Sequence, residues 1–401
     1  MDILKDTSYG LISVINNPES YFDRCYLLTQ IGTEDLPHLI LTNGKVANNN
    51  PKHCLVKTPP KTLRANKFWS WAFEQLKEII QSYPKIQFIL HEHGVGMVSA
   101  MSKVMLRGKM LRICSLYSGE YAFFSSRGWT IDPNGRAFIT SAQKWKIIKS
   151  RFKPLLYRFV SVFGANIIIG NSSEAANELS SIFRFKQRYV MNTCILPERF
   201  AIEKPTPPQM KDTATRIQLL YAGKIYPAKG IGTLLKSFSL LEAADPNKYQ
   251  LTMIGGIPNN DQAWFNSMLD QFNLKDKIKL LPKVPQEELI AYYQHADLFI
   301  LPSFFEGSPR VMKEAIAAGS LVLCSNIAGT KIVDPTGAIS FFFEPGNAAE
   351  LKSKIQELSE AKAVHQARKA KGQAYIQAFS VANLAKERLQ FYKKILKENE
   401  R

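Results

Sequence analysis

Five short apolar runs recur through the second half of the chain, at residues 217–222, 250–254, 278–281, 298–301 and 321–324, each separated by a helical or loop stretch. Runs so short and so continuously apolar suit strands buried on both faces. The intervals suit crossover helices, so the pattern predicts a parallel, doubly wound α/β domain. The first half is less regular, but strands are expected at 10–15, 36–42, 88–90, 112–116 and 166–169, enough for another α/β layer. Between the halves, residues 203–213 read EKPTPPQMKDT, polar, proline-rich and without periodicity, as an interdomain linker does. The expected division is therefore 1–205 and 206–380, with a helix from about 381 to 397 long enough to return to the first domain.

A chain of 401 residues with 45% hydrophobic content can bury such cores. Its five cysteines, Cys25, Cys54, Cys114, Cys194 and Cys324, are scattered, odd in number and lack metal-ligand spacing. Neither a disulfide framework nor a zinc site is expected. The opening MDILKDTSYG has no basic-then-apolar leader pattern, and apolar runs such as 159–169 are too short to span a bilayer. A cytoplasmic protein, soluble or peripheral on the membrane, is the expectation.

Chemistry concentrates in residues 298–319, LFILPSFFEGSPRVMKEAIAAG. A buried-type strand runs into a small-residue loop and a short helix, with Ser308 placed as N-cap, Pro309 as the first helical residue and Gly319 just past the last turn. The first-turn N–H groups of Arg310, Val311 and Met312 and the helix dipole would seat a diphosphate, and Arg310 adds a formal charge. Glu306 before the helix and Glu314 on it are too far apart for a tight carboxylate dyad. They can accept hydrogen bonds from two parts of one ligand, such as the hydroxyls of a sugar and a ribose. Read from spacing alone, they are more often a turn cap and a solvated helical residue, the usual fate of glutamates.

EGSPRVMKEAIAAG resembles the E-x7-E signature of family 4 retaining glycosyltransferases, which have the GT-B fold: two Rossmann-like, doubly wound α/β domains facing a cleft, with a C-terminal helix crossing back. LLYAGKIYPAKGIGTLLKSFSLL is similar to that family's strand, G-[RK]-x4-KG loop and helix. The resemblance implies that Gly223, Lys224 and Lys229 border the donor diphosphate, with Lys224 standing where arginine is usual. It further implies that Glu306 with Gly307, Ser308, Pro309, Arg310 and Val311 contacts the donor, that Glu314 contacts the ribose, and that Lys283 and Val284 lie at the nucleobase. Glu306, Lys229 and Lys224 would carry catalysis. No metal or other cofactor is expected, the basic side chains taking a cation's place; the nucleotide sugar is a co-substrate.

The first-domain match is thinner. FILHEHGVG and ANIIIGNSSEAANEL resemble strands of that fold, and His93, Tyr117 and Asn16 are the acceptor-side candidates. His91 and His93 without a third ligand make no metal site. Asn16-Asn17-Pro18 replaces a glycine-rich loop, Tyr117 stands where a histidine is usual, and Lys331 falls near an acidic position. A phenol donates a hydrogen bond but lacks imidazole's proton chemistry near neutral pH.

Residues 51–160 hold 19 Lys and Arg against 5 Asp and Glu, a surplus of 14 in a chain whose net charge is +18. Within them KFWSWAFEQLKEII and KWKIIKSRFKPLLYRFVSVF interleave cations with Trp69, Trp71, Trp145, Phe152 and Phe159, as helices on an anionic membrane do, or as ordinary amphipathic helices do. No nucleic-acid motif accompanies the charge. The reading is a hexosyltransferase acting with retention from a nucleoside diphosphate sugar onto a glycan, lipopolysaccharide or lipid-linked acceptor. The alternative is a GT-B scaffold that has lost catalysis.

Overall fold

The computed structural model describes the chain except for residues 1, 6, 17–21, 45, 47, 49, 61–66, 94–95, 107–109, 117–128, 132–136, 140–155, 157–158, 178–182, 212–215, 361 and 400–401. Fifteen strands are described in chain order. They are β1 (Tyr9–Ile15), β2 (His38–Thr42), β3 (Cys54–Lys57), β4 (Gln87–His93), β5 (Met110–Leu116), β6 (Trp129–Ile131), β7 (Ala137–Ile139), β8 (Ile167–Gly170), β9 (Gln187–Val190), β10 (Ile217–Ala222), β11 (Tyr249–Ile254), β12 (Ile278–Leu281), β13 (Leu298–Leu301), β14 (Leu321–Ser325) and β15 (Phe341–Phe343). The chain forms two compact units: residues 1–118, 152–194 and 378–401, and residues 119–151 and 195–377.

In the first unit seven parallel strands lie in the order β3-β2-β1-β4-β5-β8-β9. The helix Phe68–Ser82 turns Phe68, Ala72, Phe73, Leu76 and Ile79 toward the sheet, where they bury against Ile12, Val14, Leu39, Leu41 and Leu90. Those positions recur at helical spacing, so one face is apolar. Trp69 and Trp71 are half-buried beside this core, their rings 5.1 and 5.8 Å from that of Phe68. Trp145 and Phe152 lie outside the described residues.

The helix Val381–Glu398 belongs to the same unit. Ser380 caps it by accepting the Asn383 N–H, and it buries Tyr392, Ile395 and Leu396. The Tyr392 hydroxyl and the His91 ring share a hydrogen bond within the sheet's core, and Lys393 pairs with Asp35 at 2.6 Å on the outside.

Glu92, wholly buried on β4, accepts the N–H groups of Val98 and Ser99 at the start of the helix Met97–Met105. Burial pushes its carboxyl up to about 7, against the pull of those donors. Its folded-state value then exceeds the unfolded one, so the folded state binds the extra proton. Stability from this group is full below pH ~4.5 and is lost as pH rises toward 7. Chemical denaturation should show the protein losing on the order of 1–3 kcal/mol from pH 5 to 7 through this group. Glu92→Gln should flatten that slope; an unchanged slope would show that Glu92 does not titrate there.

The second unit holds a six-stranded parallel sheet in the order β12-β11-β10-β13-β14-β15. Its core joins Leu219, Leu251, Leu298 and Leu321 to Leu234 and Phe238 of the helix Ile231–Ala244 and to Leu351 and Ile355 of the helix Ala348–Glu360. The compact division falls at Ile195, upstream of residue 206, because residues 195–205 are bonded to the helix Gln286–His295. The Gln294 side chain donates to the carbonyls of Phe200 and Ile202, both at 2.9 Å, and accepts the Lys204 N–H, while Arg199 pairs with Glu287 at 2.6 Å. The proline-rich stretch continues into a helical turn, Pro208–Lys211, whose Gln209 accepts from the Tyr292 hydroxyl. The antiparallel hairpin β6–β7 also belongs here, with β6 beside the turn Pro227–Lys229. Among the described residues no helix is long and apolar enough to cross a membrane.

Candidate active site

In an open parallel sheet the crevice for a ligand lies outside the carboxyl ends of the strands, where the strand order reverses. In the second unit that point lies between β10 and β13. The two loops that leave it, after Ala222 and after Leu301, are the two stretches the sequence singles out.

The loop after β10 is fixed from below. Tyr221 is fully buried and its hydroxyl donates to the Lys224 carbonyl at 2.7 Å. Burial holds that phenol far above its ordinary range, so it remains a donor. The chain then runs through Pro227–Lys229 to Gly230, whose φ of +67° opens the helix Ile231–Ala244. A Cβ at Gly230 would stand 1.8 Å from the carbonyl oxygen of Pro302, in the loop after β13. The two loops therefore touch backbone to backbone, and only glycine allows it.

That contact brings Lys229 to Glu306. The ammonium lies 2.6 Å from Oε1 of the carboxylate, which also accepts from the Ser303 hydroxyl at 2.7 Å. Burial alone would lower Lys229, but the charge of Glu306, with Tyr226, holds it above the ordinary lysine value. It is a fixed cation near neutral pH. Both bonds fall on Oε1, which leaves Oε2 able to accept from a ligand hydroxyl. Gly329 closes over the same loop: a Cβ there would meet the Glu306 carbonyl oxygen at 2.2 Å. Lys224, five residues before Lys229, is exposed.

The helix itself is Arg310–Ala317, one residue shorter at its start than expected. Pro309, with φ −66° and ψ 115°, stands at the N-cap position expected for Ser308. The Ser308 hydroxyl accepts from the ammonium of Lys313 at 2.6 Å. Lys313 has no exposed surface, and a buried ammonium needs such an oxygen. Lys313 is the site residue that the sequence reading passes over: it sits mid-helix beside Glu314, with nothing in its spacing to separate it from a solvated lysine. Gly319, with φ +83°, closes the other end, its N–H bonded to Ile316 and that of Ser320 to Ala315, the Schellman pattern.

Glu314 is buried, not solvated. Its Oε1 accepts from the Gln286 amide at 3.2 Å and from Arg310 at 3.3 Å, its Oε2 from the Tyr293 hydroxyl at 3.3 Å. Burial, then the charge of Glu314, raises Tyr293 well above the ordinary phenol range, so it donates as a neutral group. These donors set the carboxylate's orientation. Exposed Lys283 and half-buried Val284 lie in the loop from β12 to the helix Gln286–His295. Lys331 is exposed on the short helix Ala328–Val333. Gly223, Lys224, Lys229, Glu306, Ser308, Arg310 and Glu314 thus come from two adjoining loops and the helix that follows the second.

In the first unit the strand order reverses between β1 and β4. Ile15 and His93 are paired there in register, which puts Asn16 and His93 at the carboxyl edge. Asn16 accepts from the Asn43 side chain, and the buried His93 ring stacks on His91 with centroids 4.0 Å apart. Tyr117 and residues 17–18 lie outside the described residues. Among those described, no group of three or more His, Cys, Asp or Glu could hold a metal.

Residues 206–375 match the family model described as "Glycosyl transferases group 1". Over 240 residues the chain is 25% identical to the O-antigen chain mannosyltransferase B of Escherichia coli, covering 58% of this chain and 62% of that protein. It is 30% identical over 120 residues to the D-inositol 3-phosphate glycosyltransferase of Corynebacterium glutamicum, 29% of each chain. The matches thus span less than two thirds of these relatives. Among solved structures, sucrose-phosphate synthase from Thermosynechococcus elongatus superposes with a TM-score of 0.67 at 16% identity, over 97% of this chain and 100% of that one. Anabaena HepE in complex with UDP and glucose gives 0.63 at 14% identity, over 96% and 100%. These likenesses give the fold, GT-B. The residues that match the glycosyl transferases group 1 model lie within the second unit and include both loops and the helix.

Proposed function

We propose that the protein is a glycosyltransferase that moves a hexose-type sugar from a nucleoside diphosphate onto a glycan, lipopolysaccharide or lipid-linked acceptor, with retention at the anomeric carbon. The observation that carries this reading is the Lys229–Glu306 pair, 2.6 Å apart at the strand-order reversal and beside the start of the helix Arg310–Ala317. A diphosphate, a sugar and a ribose ask for a cation, a carboxylate and a second carboxylate, and Lys229, Glu306 and Glu314 would supply them from two adjoining loops and the helix that follows the second. Lys229 and Lys224, with the first-turn N–H groups, would hold the diphosphate; Glu306 would take a sugar hydroxyl and Glu314 the ribose. Lys283 and Val284 would border the base.

In the transfer, the bond from the anomeric carbon to the phosphate oxygen breaks as the bond to the acceptor oxygen forms on the same face. The acceptor's proton passes to the departing phosphate oxygen. The protein's part is to position both partners and to stabilise the negative charge that builds on the leaving diphosphate, a role with strong leverage in a water-poor site. The two lysines supply positive charge where other enzymes use a metal ion. Acceptor contacts are assigned to the first unit, at Asn16, His93 and Tyr117, and the work is assigned to the cytoplasm.

Thermal-shift screening against nucleoside diphosphates and their sugars tests the donor assignment, since a ligand bound only by the folded state raises the melting temperature. A saturating hit at 100 times its dissociation constant adds ~2.7 kcal/mol. No shift from any of the panel, with the protein folded, would leave a scaffold that has lost catalysis as the better reading.

A further inference from the structure

The first unit carries a patch that the sugar site does not use. Phe185, Met105 and Val104 are exposed by 77, 65 and 69%, and Phe159, Phe163 and Leu156 are also open to solvent. The rings form a chain: Phe159 stacks on Phe163 at 6.4 Å and meets Phe183 at 5.4 Å, and Phe183 meets Phe185 at 6.3 Å. Close packing of backbone holds them together. A Cβ at Gly164 would stand 2.5 Å from the Ala100 nitrogen, so the helical stretch 159–164 lies directly on the helix Met97–Met105 that carries Val104 and Met105.

Cations are set among these rings. The Lys103 ammonium lies 4.2 Å from the Phe163 ring centre and donates to the Phe163 carbonyl at 2.8 Å. Lys186 lies 5.3 Å from the Phe185 ring centre and donates to the Phe163 and Ala165 carbonyls. Arg112 donates to the carbonyls of Met110, Ser102 and Leu106, and Arg188 to those of Ala176 and Phe183. These bonds go to backbone oxygens; Lys186 and Arg112 are themselves buried, whereas Lys103 is exposed. Burial, then the neighbouring positive charges of Lys103, Arg188 and Arg112, brings Lys186 down to about 8. Like charges are thus crowded at the edge of an apolar surface, in the half of the chain that holds most of the positive surplus.

We infer that this face, built from Val104, Met105, Phe159, Phe163 and Phe185 with the exposed Lys103, docks the first unit on an anionic lipid surface. Exposed rings and a methionine would enter the acyl boundary, and the Lys103 ammonium, with the positive surplus of this part of the chain, would meet the headgroups. The Trp69 and Trp71 helix, which composition also pointed to, is committed to the core instead. The inference uses no donor residue and stands whether or not the transferase reading does.

Sedimentation of the full-length protein with vesicles tests it. With phosphatidylcholine containing about one third phosphatidylglycerol, the protein should pellet, and with phosphatidylcholine alone it should stay in solution. Met105→Ser with Phe185→Ser, both exposed and outside the sugar site, should cut binding about tenfold or more with an unchanged melting temperature. Lys103→Gln should weaken it about fivefold at low salt, and less at high salt. Equal pelleting by wild type and the double variant would overturn the assignment, as would no pelleting of wild type. If wild type instead shows concentration-dependent self-association that the double variant loses, the face is an interface between copies and the lipid assignment fails. Donor-induced thermal shifts, measured without vesicles, report separately on the sugar site.

Discussion

Lys229→Ala is expected to lower sugar transfer by two to three orders of magnitude. Removing one preorganised charge that stabilises a developing anion typically costs ~10²–10³ in rate. On the proposed reading Lys229 is that charge, and it is held by its own backbone turn, Pro227–Lys229, and by the Glu306 carboxylate 2.6 Å away. Stability should change far less. The pair is partly open to solvent, and Glu306 keeps its bond from Ser303, so the folding cost should be about 1–2 kcal/mol. A scan of single-turnover rate beside a thermal melt separates the two. Wild-type transfer in a folded Lys229→Ala protein would end the diphosphate assignment, whereas a collapse of the melt would recast Lys229 as a structural residue. Lys224→Ala, at an exposed position without the Glu306 tether, should give the milder loss of the two.

The second large effect should come from adding one methyl group. Gly230→Ala puts a non-glycine residue at φ +67°, which costs roughly 1–2 kcal/mol by itself. Its Cβ also meets the Pro302 carbonyl oxygen at 1.8 Å, a backbone atom that cannot rotate away. The loops after β10 and β13 must then part by more than 1 Å, and a total loss of about 3–5 kcal/mol is expected. For a unit of this size that is a fall of roughly 6–20 °C in melting temperature. Separation of these loops also draws Lys229 from Glu306, so donor-induced stabilisation should vanish even at temperatures where the variant remains folded. A variant that melts like wild type and still responds to donor would show that the loops' contact is dispensable.

What could be read from residues alone follows a physical divide. Central strands are buried on both faces and announce themselves by continuous apolar runs, and β1, β4, β5, β10, β11 and β13 all lie within or around the expected segments. Outside the expected segments lie β3, β9 and β15 at the sheet edges and the hairpin β6–β7, whereas the fourth edge strand, β12, kept enough apolar residues to be expected. Edge strands face solvent on one side, so Gln187–Val190 can carry glutamine and arginine and loses the signal that marks a strand. At the candidate site, the loop, helix and glycine spacing that singled out Glu306, Glu314, Lys224 and Lys229 corresponds to two adjoining loops and the helix that follows the second. The helix start was read one residue early, with Pro309 and not Ser308 at the N-cap, since helix ends carry a weaker signal than helix faces, and the buried Lys313 that donates to Ser308 left no trace in the spacing. The partnership of residues 195–205 with the helix Gln286–His295 was invisible for a related reason. It rests on single side chains some ninety positions away, which leave no periodic trace.

The helix Val381–Glu398 has a further consequence for biosynthesis. It fills the first unit's core with Tyr392, bonded to His91, yet about 180 residues of the other unit separate it from the preceding segment that ends at Cys194. At ~5–20 residues per second, a ribosome takes roughly 10–40 s to cross that interval. Throughout it the nascent first unit has its sheet but lacks the helix that covers it, while the second unit can complete itself at once. The unit translated first is thus the one finished last, and its uncovered apolar surface is where a chaperone would be needed.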